Sequence, residues 1–267
     1  MLSIKDMTDS YQNEGYSEIN AQARVCQDIV LKAISESTLN RNVTIKGGIV
    51  MRNLSGDIRR ATQDIDLDFL RYPLEDSYIK AFVQTLNCLD GISIEITGDI
   101  TQLSQQEYRG KRAYIEVRDS LGNTLRSKID FGVHKNIQIE QDELCFDVCL
   151  DDDGAYLLAN SKEQIFTEKL KSLLRFGPFS TRYKDLYDLC YLSESVNVSR
   201  LKDYITTYIF EDTEMKENSI DDIVYRLDST FNNKSYLKSV ERSTKSNWLQ
   251  LTSEAAFNVI ISFIKEL

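Results

Sequence analysis

Asp64-Ile65-Asp66 puts two carboxylates at a spacing suited to metal-assisted chemistry. In an extended strand side chains alternate, so both acids share one face, about 7 Å apart along the chain. Two hard carboxylates there can hold one or two magnesium ions, which orient a triphosphate and lower the pKa of an attacking hydroxyl. Acidic residues number 42 in 267, so chance and a solvated strand face also supply such pairs. Gly47-Gly48 lies upstream, between a short strand and a short helix. Glycines at such a junction let N–H groups approach phosphate, although an ordinary tight turn uses them too. In Lys128-Ile129-Asp130, Asp130 falls on the polar face of a later strand. It can complete a three-carboxylate site and help deprotonate an acceptor hydroxyl, or form a surface pair with Lys128. Lys169 sits in the apolar stripe of a helix with Ile165, Phe166 and Leu173, where a lysine either snorkels or points into a cleft. Asp185 and Asp188 share a helix face at i, i+3, and Lys184 can pair with Asp188 at i, i+4; a salt-bridged helix surface has the same pattern.

The elements that must position these groups follow from periodicity. Residues 16–37 read as a helix with Ile19, Ala23, Cys26, Val30, Ala33 and Ile34 on one stripe. Val43-Thr44-Ile45 is a short strand, and residues 49–54 form a short helix opening at the glycines. Ile65, Leu67 and Phe69 alternate with Asp64, Asp66 and Asp68. A helix over residues 75–89 precedes strands at Ile92–Ile96, around residues 114–118, around residues 128–133 and around residues 144–148. Beyond about residue 158 the period becomes helical, over residues 164–176, 181–192, 199–210, 219–229 and 253–267. The expected class is α+β: a mixed-sheet core over residues 1–155, then an all-helical domain over 156–267 completing the cleft. The boundary falls near Asp151-Asp152-Asp153-Gly154, a polar cluster that reads as a turn.

Composition removes several classes. With 32 basic and 42 acidic residues the net charge is −10, which does not advertise broad, sequence-blind nucleic-acid binding, although a local basic patch can serve. Five scattered cysteines do not suggest a disulfide framework, and His134 is the single histidine, so a structural zinc site and a histidine-based triad are both disfavoured. Reduced buried thiols imply the cytoplasm. No apolar run reaches the roughly 18–20 residues of a membrane span, and the N-terminus lacks the apolar core of a signal peptide.

Two longer patterns then stand out. Lys46-Gly47-Gly48, followed by Arg60-Ala61-Thr62-Gln63-Asp64-Ile65-Asp66-Leu67, resembles a motif of two glycines and then R-x-[ST]-x-D-I-D-L. Glu168-Lys169-Leu170, followed by Arg182-Tyr183-Lys184-Asp185-Leu186-Tyr187-Asp188-Leu189, resembles E-K-L and then R-x-K-D-x-x-D-L. In this order they resemble the AbiEii/AbiGii toxins, the nucleotidyltransferases of abortive-infection type IV toxin–antitoxin systems in the polymerase-beta-like superfamily. The resemblance covers roughly residues 15–195, with a looser fit of the helical tail; Thr62 stands where many members have serine. It implies transfer of a nucleoside monophosphate from an NTP to an acceptor hydroxyl, such as a tRNA acceptor end, with magnesium or manganese as cofactor and a possible cognate antitoxin as partner. It implies Asp64, Asp66 and Asp130 as metal ligands, and Lys169 and Asp188 as further catalytic residues. Lys46, Gly47, Gly48, Arg60, Thr62, Lys169, Lys184 and Asp185 are the implied nucleotide-binding residues; Arg60 can equally form a structural ion pair near the acids. An acceptor of small-molecule type and a decayed binding module are the rival readings. Arg109, Lys111, Arg112, Arg118 and Arg126 are the candidate rim for RNA.

Overall fold

The computed structural model describes residues 3–103, 110–134 and 141–267, and the chain divides into two compact units, Met1–Asn160 and Ser161–Leu267. The class is mixed α+β, with an eight-stranded mixed sheet in the first unit and helices in the second.

The first unit opens with α1 (Ile4–Asn13), whose N-terminus is held by a reciprocal capping box between Ser3 and Asp6. Then come α2 (Glu18–Glu36), β1 (Val43–Lys46), α3 (Gly47–Ser55), β2 (Ile65–Phe69) and α4 (Asp76–Thr85). The remaining strands are β3 (Ile92–Ile96), β4 (Thr101–Gln102), β5 (Lys111–Asp119), β6 (Thr124–Val133), β7 (Asp142–Val148) and β8 (Asp151–Ala159). The sheet runs β3-β5-β6-β2-β1-β8-β7, with β4 on β5. β2 and β6 are parallel, as are β1 and β8; the other pairs are antiparallel.

One sheet face is the core. Ile65, Leu67 and Phe69 of β2, Ile129 and Phe131 of β6, and Ala113, Ile115 and Val117 of β5 are fully buried there. Phe82 of α4 meets Phe69 at 5.3 Å and Phe131 at 5.9 Å between ring centroids, in edge-on contacts favoured by aromatic quadrupoles. This packing fixes the strand register: a slip of one residue would turn each apolar set outward. The acids of β2 are thereby forced to the opposite face.

The second unit contains α5 (Lys162–Phe176), α6 (Tyr183–Ser193), α7 (Val198–Ile205), α8 (Ile220–Phe231), α9 (Lys234–Arg242) and α10 (Ser253–Lys265), with a π-helical turn over Thr206–Phe210. Ser161, Asn197, Ser219, Asn233 and Thr252 each accept a backbone N–H at a helix start. Phe231 and Phe257 stack at 4.1 Å in its core.

Five features depart from the periodicity. The polar run at residues 151–154 is not a turn: it begins β8, and Cys149 and Leu150 make the reversal. Asp151 is held there by Lys32 at 2.5 Å, while Ala155, Leu157 and Ala159 supply the buried side. Helices α1 and α9 and the two-residue β4 are additional. Ile19, assigned to the apolar stripe of α2, is exposed.

Candidate active site

The outward face of the sheet collects the acidic strand positions. Strand β2 lies between β1 and β6, and its register sets Asp66 opposite Lys46 on one side and opposite Asp130 on the other. Asp130 in turn faces Arg112 of β5. Residues directly opposite on neighbouring strands share a face at a strand spacing of about 4.8 Å, so Lys46, Asp66, Asp130 and Arg112 form one transverse row. Asp64 and Lys128 stand next to that row.

These charges are paired. Lys128 Nζ lies 2.9 Å from Asp64 Oδ1. Arg112 donates through Nε and Nη2 to the two oxygens of Asp130, both at 2.7 Å, a bidentate fork. Those bonds hold the Arg112 guanidinium above its ordinary pKa. Lys46 Nζ reaches the buried Asp68 at 2.6 Å. With Lys128 and Arg112 drawing two carboxylates aside, no three acidic, histidine or cysteine side chains among the described residues converge as a metal cage. The donor set nevertheless suits a hard divalent cation: oxygen ligands only, on adjoining parallel strands. Asp64, Asp66 and Asp130 are the side chains that could hold one.

The glycine turn abuts this row. Gly47 starts α3 with φ +67°, a conformation that costs a residue with a Cβ roughly 1–2 kcal/mol. A Cβ at Gly47 would also stand 2.6 Å from Asp66 Oδ2, and one at Gly48 would overlap the Thr62 hydroxyl. The two glycines therefore let the first turn of α3 lie directly against Asp66 and Thr62. Arg60 is only 3% exposed, in the 3-10 turn Ile58–Arg60 ahead of β2. Thr62 is half-buried.

The second unit gathers the later motif. Lys169 Nζ of α5 lies 2.5 Å from Asp185 Oδ1 and 2.8 Å from Asp188 Oδ2 of α6. Asp188 is fully buried and also accepts from Trp248 Nε1 at 3.0 Å. Asp185 Oδ2 is buried without a hydrogen-bond partner among the described residues, with Arg182 Nη1 3.9 Å away. Lys184 is half-buried one turn before Asp188.

Sequence patterns missed three groups. Trp248 lies outside every periodic segment, and its only signal was being the single tryptophan. Gln27 of α2 and Arg52 of α3 are buried polar residues in helices; Gln27 showed only as a break in an apolar run. The candidate RNA rim also changes. Arg112, Arg118 and Arg126 share the face of Asp130, because Arg112 is paired in register with Asp130 and alternate positions on paired strands share a side. Lys111 points to the other face and pairs with Asp76 of α4. Arg109 lies outside the described residues.

The model of the family described as "Nucleotidyl transferase AbiEii toxin, Type IV TA system" matches residues 29–254. The chain belongs to this AbiEii family. No curated protein matches it. The match takes in the glycine turn, the acidic strands and the Lys169–Asp188 cluster. The chain is thus a nucleotidyltransferase-family toxin of a type IV toxin–antitoxin system, a class that acts on NTPs and is paired with a cognate antitoxin.

Proposed function

We propose that this AbiEii-family toxin transfers a nucleoside monophosphate from an NTP to an acceptor hydroxyl on RNA, such as a tRNA acceptor end, in the cytoplasm. Asp64, Asp66 and Asp130 are the residues proposed to hold Mg2+ or Mn2+. The observation that carries the proposal is the place of Asp66: Asp130 stands directly beside it on β6, and Gly47 lies against its carboxylate.

When bound, the cation neutralises triphosphate charge and favours ionisation of the acceptor hydroxyl. The residues of the chain do the rest. N–H groups at Gly47 and Gly48 point a helix N-terminus at phosphate. Lys46 and Arg60 are proposed to supply positive charge in the first unit, and Thr62 a hydroxyl; Lys169 and Lys184 are the proposed cations of the helical unit. Asp185 and Asp188 hold the Lys169 ammonium in place. Asp130 is the proposed acceptor of the hydroxyl proton as the new O–P bond forms in line with departure of pyrophosphate; positioning and charge neutralisation account for most of the rate.

A small-molecule acceptor is the second reading. It is favoured by Glu116, which pairs with both Arg118, at 2.8 Å, and Arg126, at 2.9 Å, and so reduces the charge the rim offers to RNA. The test is incubation of purified protein with each α-labelled NTP, Mg2+ and total tRNA. The proposal predicts label on RNA with wild type and a loss of about a hundredfold or more in Asp66→Ala. No labelled RNA with wild type overturns the RNA assignment. RNA binding that weakens steeply with added salt supports it over the small acceptor.

A further inference from the structure

Gln27 is fully buried between the two segments that build the acidic site. Its Nε2 donates to the Thr62 carbonyl at 2.9 Å and reaches the Asp64 carbonyl at 3.5 Å. Its Oε1 accepts from Arg52 Nη1 at 2.6 Å. Arg52 belongs to α3, the helix that starts at Gly47 and Gly48. Gly48 in turn lies against the Thr62 side chain so closely that no Cβ fits between them. The contacts close a circuit: Thr62 backbone, Gln27, Arg52, α3, Gly48, Thr62 side chain.

The circuit is anchored from behind. Arg52 Nη2 lies 3.5 Å from Asp28 Oδ1. Asp28, also fully buried, takes further hydrogen bonds from Tyr11 Oη at 2.5 Å, Arg24 Nε and the Cys149 N–H at 3.2 Å. Burial lowers the Arg52 guanidinium to about 10 against the pull of Asp28, and its Nε has no hydrogen-bond partner among the described residues. Placing a cation and an amide there is costly, and apolar side chains of similar size would fill the same space without that cost. What the polar pair adds is direction, since an amide bonded at both ends fixes the separation of what it bonds.

We infer that Gln27 is a positioning residue that sets the glycine turn of α3 against the loop presenting Thr62 and Asp64, so that phosphate and cation meet at one distance. This rests on the function proposed above, because only an NTP held jointly by turn and carboxylates needs that distance fixed.

The experiment uses the full chain in five forms: wild type, Gln27→Met, Gln27→Glu, Cys26→Ala and Asp66→Ala. Gln27→Met loses both bonds; Gln27→Glu keeps an acceptor for Arg52 and loses the donor to the carbonyls. Cys26→Ala removes buried volume from the next position of α2 and serves as the packing control. Two quantities are read: amide hydrogen exchange over residues 47–50 and 61–66, and Mg2+-dependent affinity for a non-hydrolysable NTP. Both Gln27 variants are expected to exchange faster in the two segments together and to bind about ten- to a hundredfold more weakly, a loss in affinity larger than that of Cys26→Ala. Asp66→Ala loses binding without faster exchange over residues 47–50. Unchanged exchange in both Gln27 variants, or an affinity loss matched by Cys26→Ala, overturns the inference. If wild type binds no NTP, the proposed function falls, and the exchange data still decide whether Gln27 holds the two segments together.

Discussion

Individual side chains carry the sharpest expectations. Lys128 and the proposed cation contend for one carboxylate, since Lys128 Nζ already lies 2.9 Å from Asp64 Oδ1. Both side chains are partly exposed, so screening limits the pair to less than about 1 kcal/mol. Lys128→Ala is therefore expected to tighten Mn2+ binding by up to about fivefold in a calorimetric titration. Weaker binding would show that Lys128 orients Asp64 rather than competing for it. Asp64, Asp66 and Asp130 were legible in the sequence because strand alternation is written in residue type: each acid is flanked by an apolar residue that must be buried. Trp248 and Gln27 were not legible, because their partners lie 60 and 35 residues away in the chain and only the fold brings them together.

Elements make the next level of expectation. The junction of β1 and α3 tolerates no side chain at Gly47, where φ is +67° and a Cβ would meet Asp66. Gly47→Ala is expected to destabilise by about 1–2 kcal/mol from backbone strain alone. It should also weaken NTP binding, because relief of the clash moves Asp66. Urea unfolding and a binding titration check the two effects separately. Behind that junction, Asp28→Ala would leave Arg24 and Arg52 buried with no carboxylate between them, at a cost of about 3–5 kcal/mol measurable by urea unfolding. Helices and strands with clean periods were readable: α2, α3, β2, β5, β6, α5 and α6 follow their patterns closely. β8 was not, because its first residues, Asp151 to Asp153, carry a turn-like composition while Lys32, distant in sequence, holds Asp151 in place. Helix α1 was overlooked although its signals are local, a Ser3–Asp6 capping box and buried residues at Ile4, Met7, Thr8 and Tyr11.

At the scale of the whole molecule, the acidic balance sets how stability varies with pH. Burial pushes the Asp119 carboxyl up, but hydrogen bonds from Asn123 and from the N–H groups of Ile4, Asn123 and Leu121 bring it below its ordinary value. Asp151 is lowered by Lys32, and Asp222 by the Asn218 N–H and the Ser219 hydroxyl. A carboxyl lowered in the folded state stabilises fully above its unfolded pKa, near 3.9, and that contribution is lost as pH falls through the folded value. Melting temperature is therefore expected to hold between about pH 7 and pH 5 and to drop below about pH 4, a profile circular dichroism can follow. The change from strand to helix periodicity, and with it the α+β class, was visible in the sequence. Among the described residues no helix is long and apolar enough to cross a membrane.

Nucleotide transfer is proposed to depend on a cation held by Asp64 and Asp66. Crystals grown with Mn2+ and a non-hydrolysable NTP test it directly through the anomalous signal of the metal. The expected result is a manganese peak within bonding distance of carboxylate oxygens from both residues, with the triphosphate at Gly47 and Gly48 and Lys128 withdrawn from Asp64. A peak bound elsewhere, or a bound NTP with no metal touching Asp64 or Asp66, would contradict it.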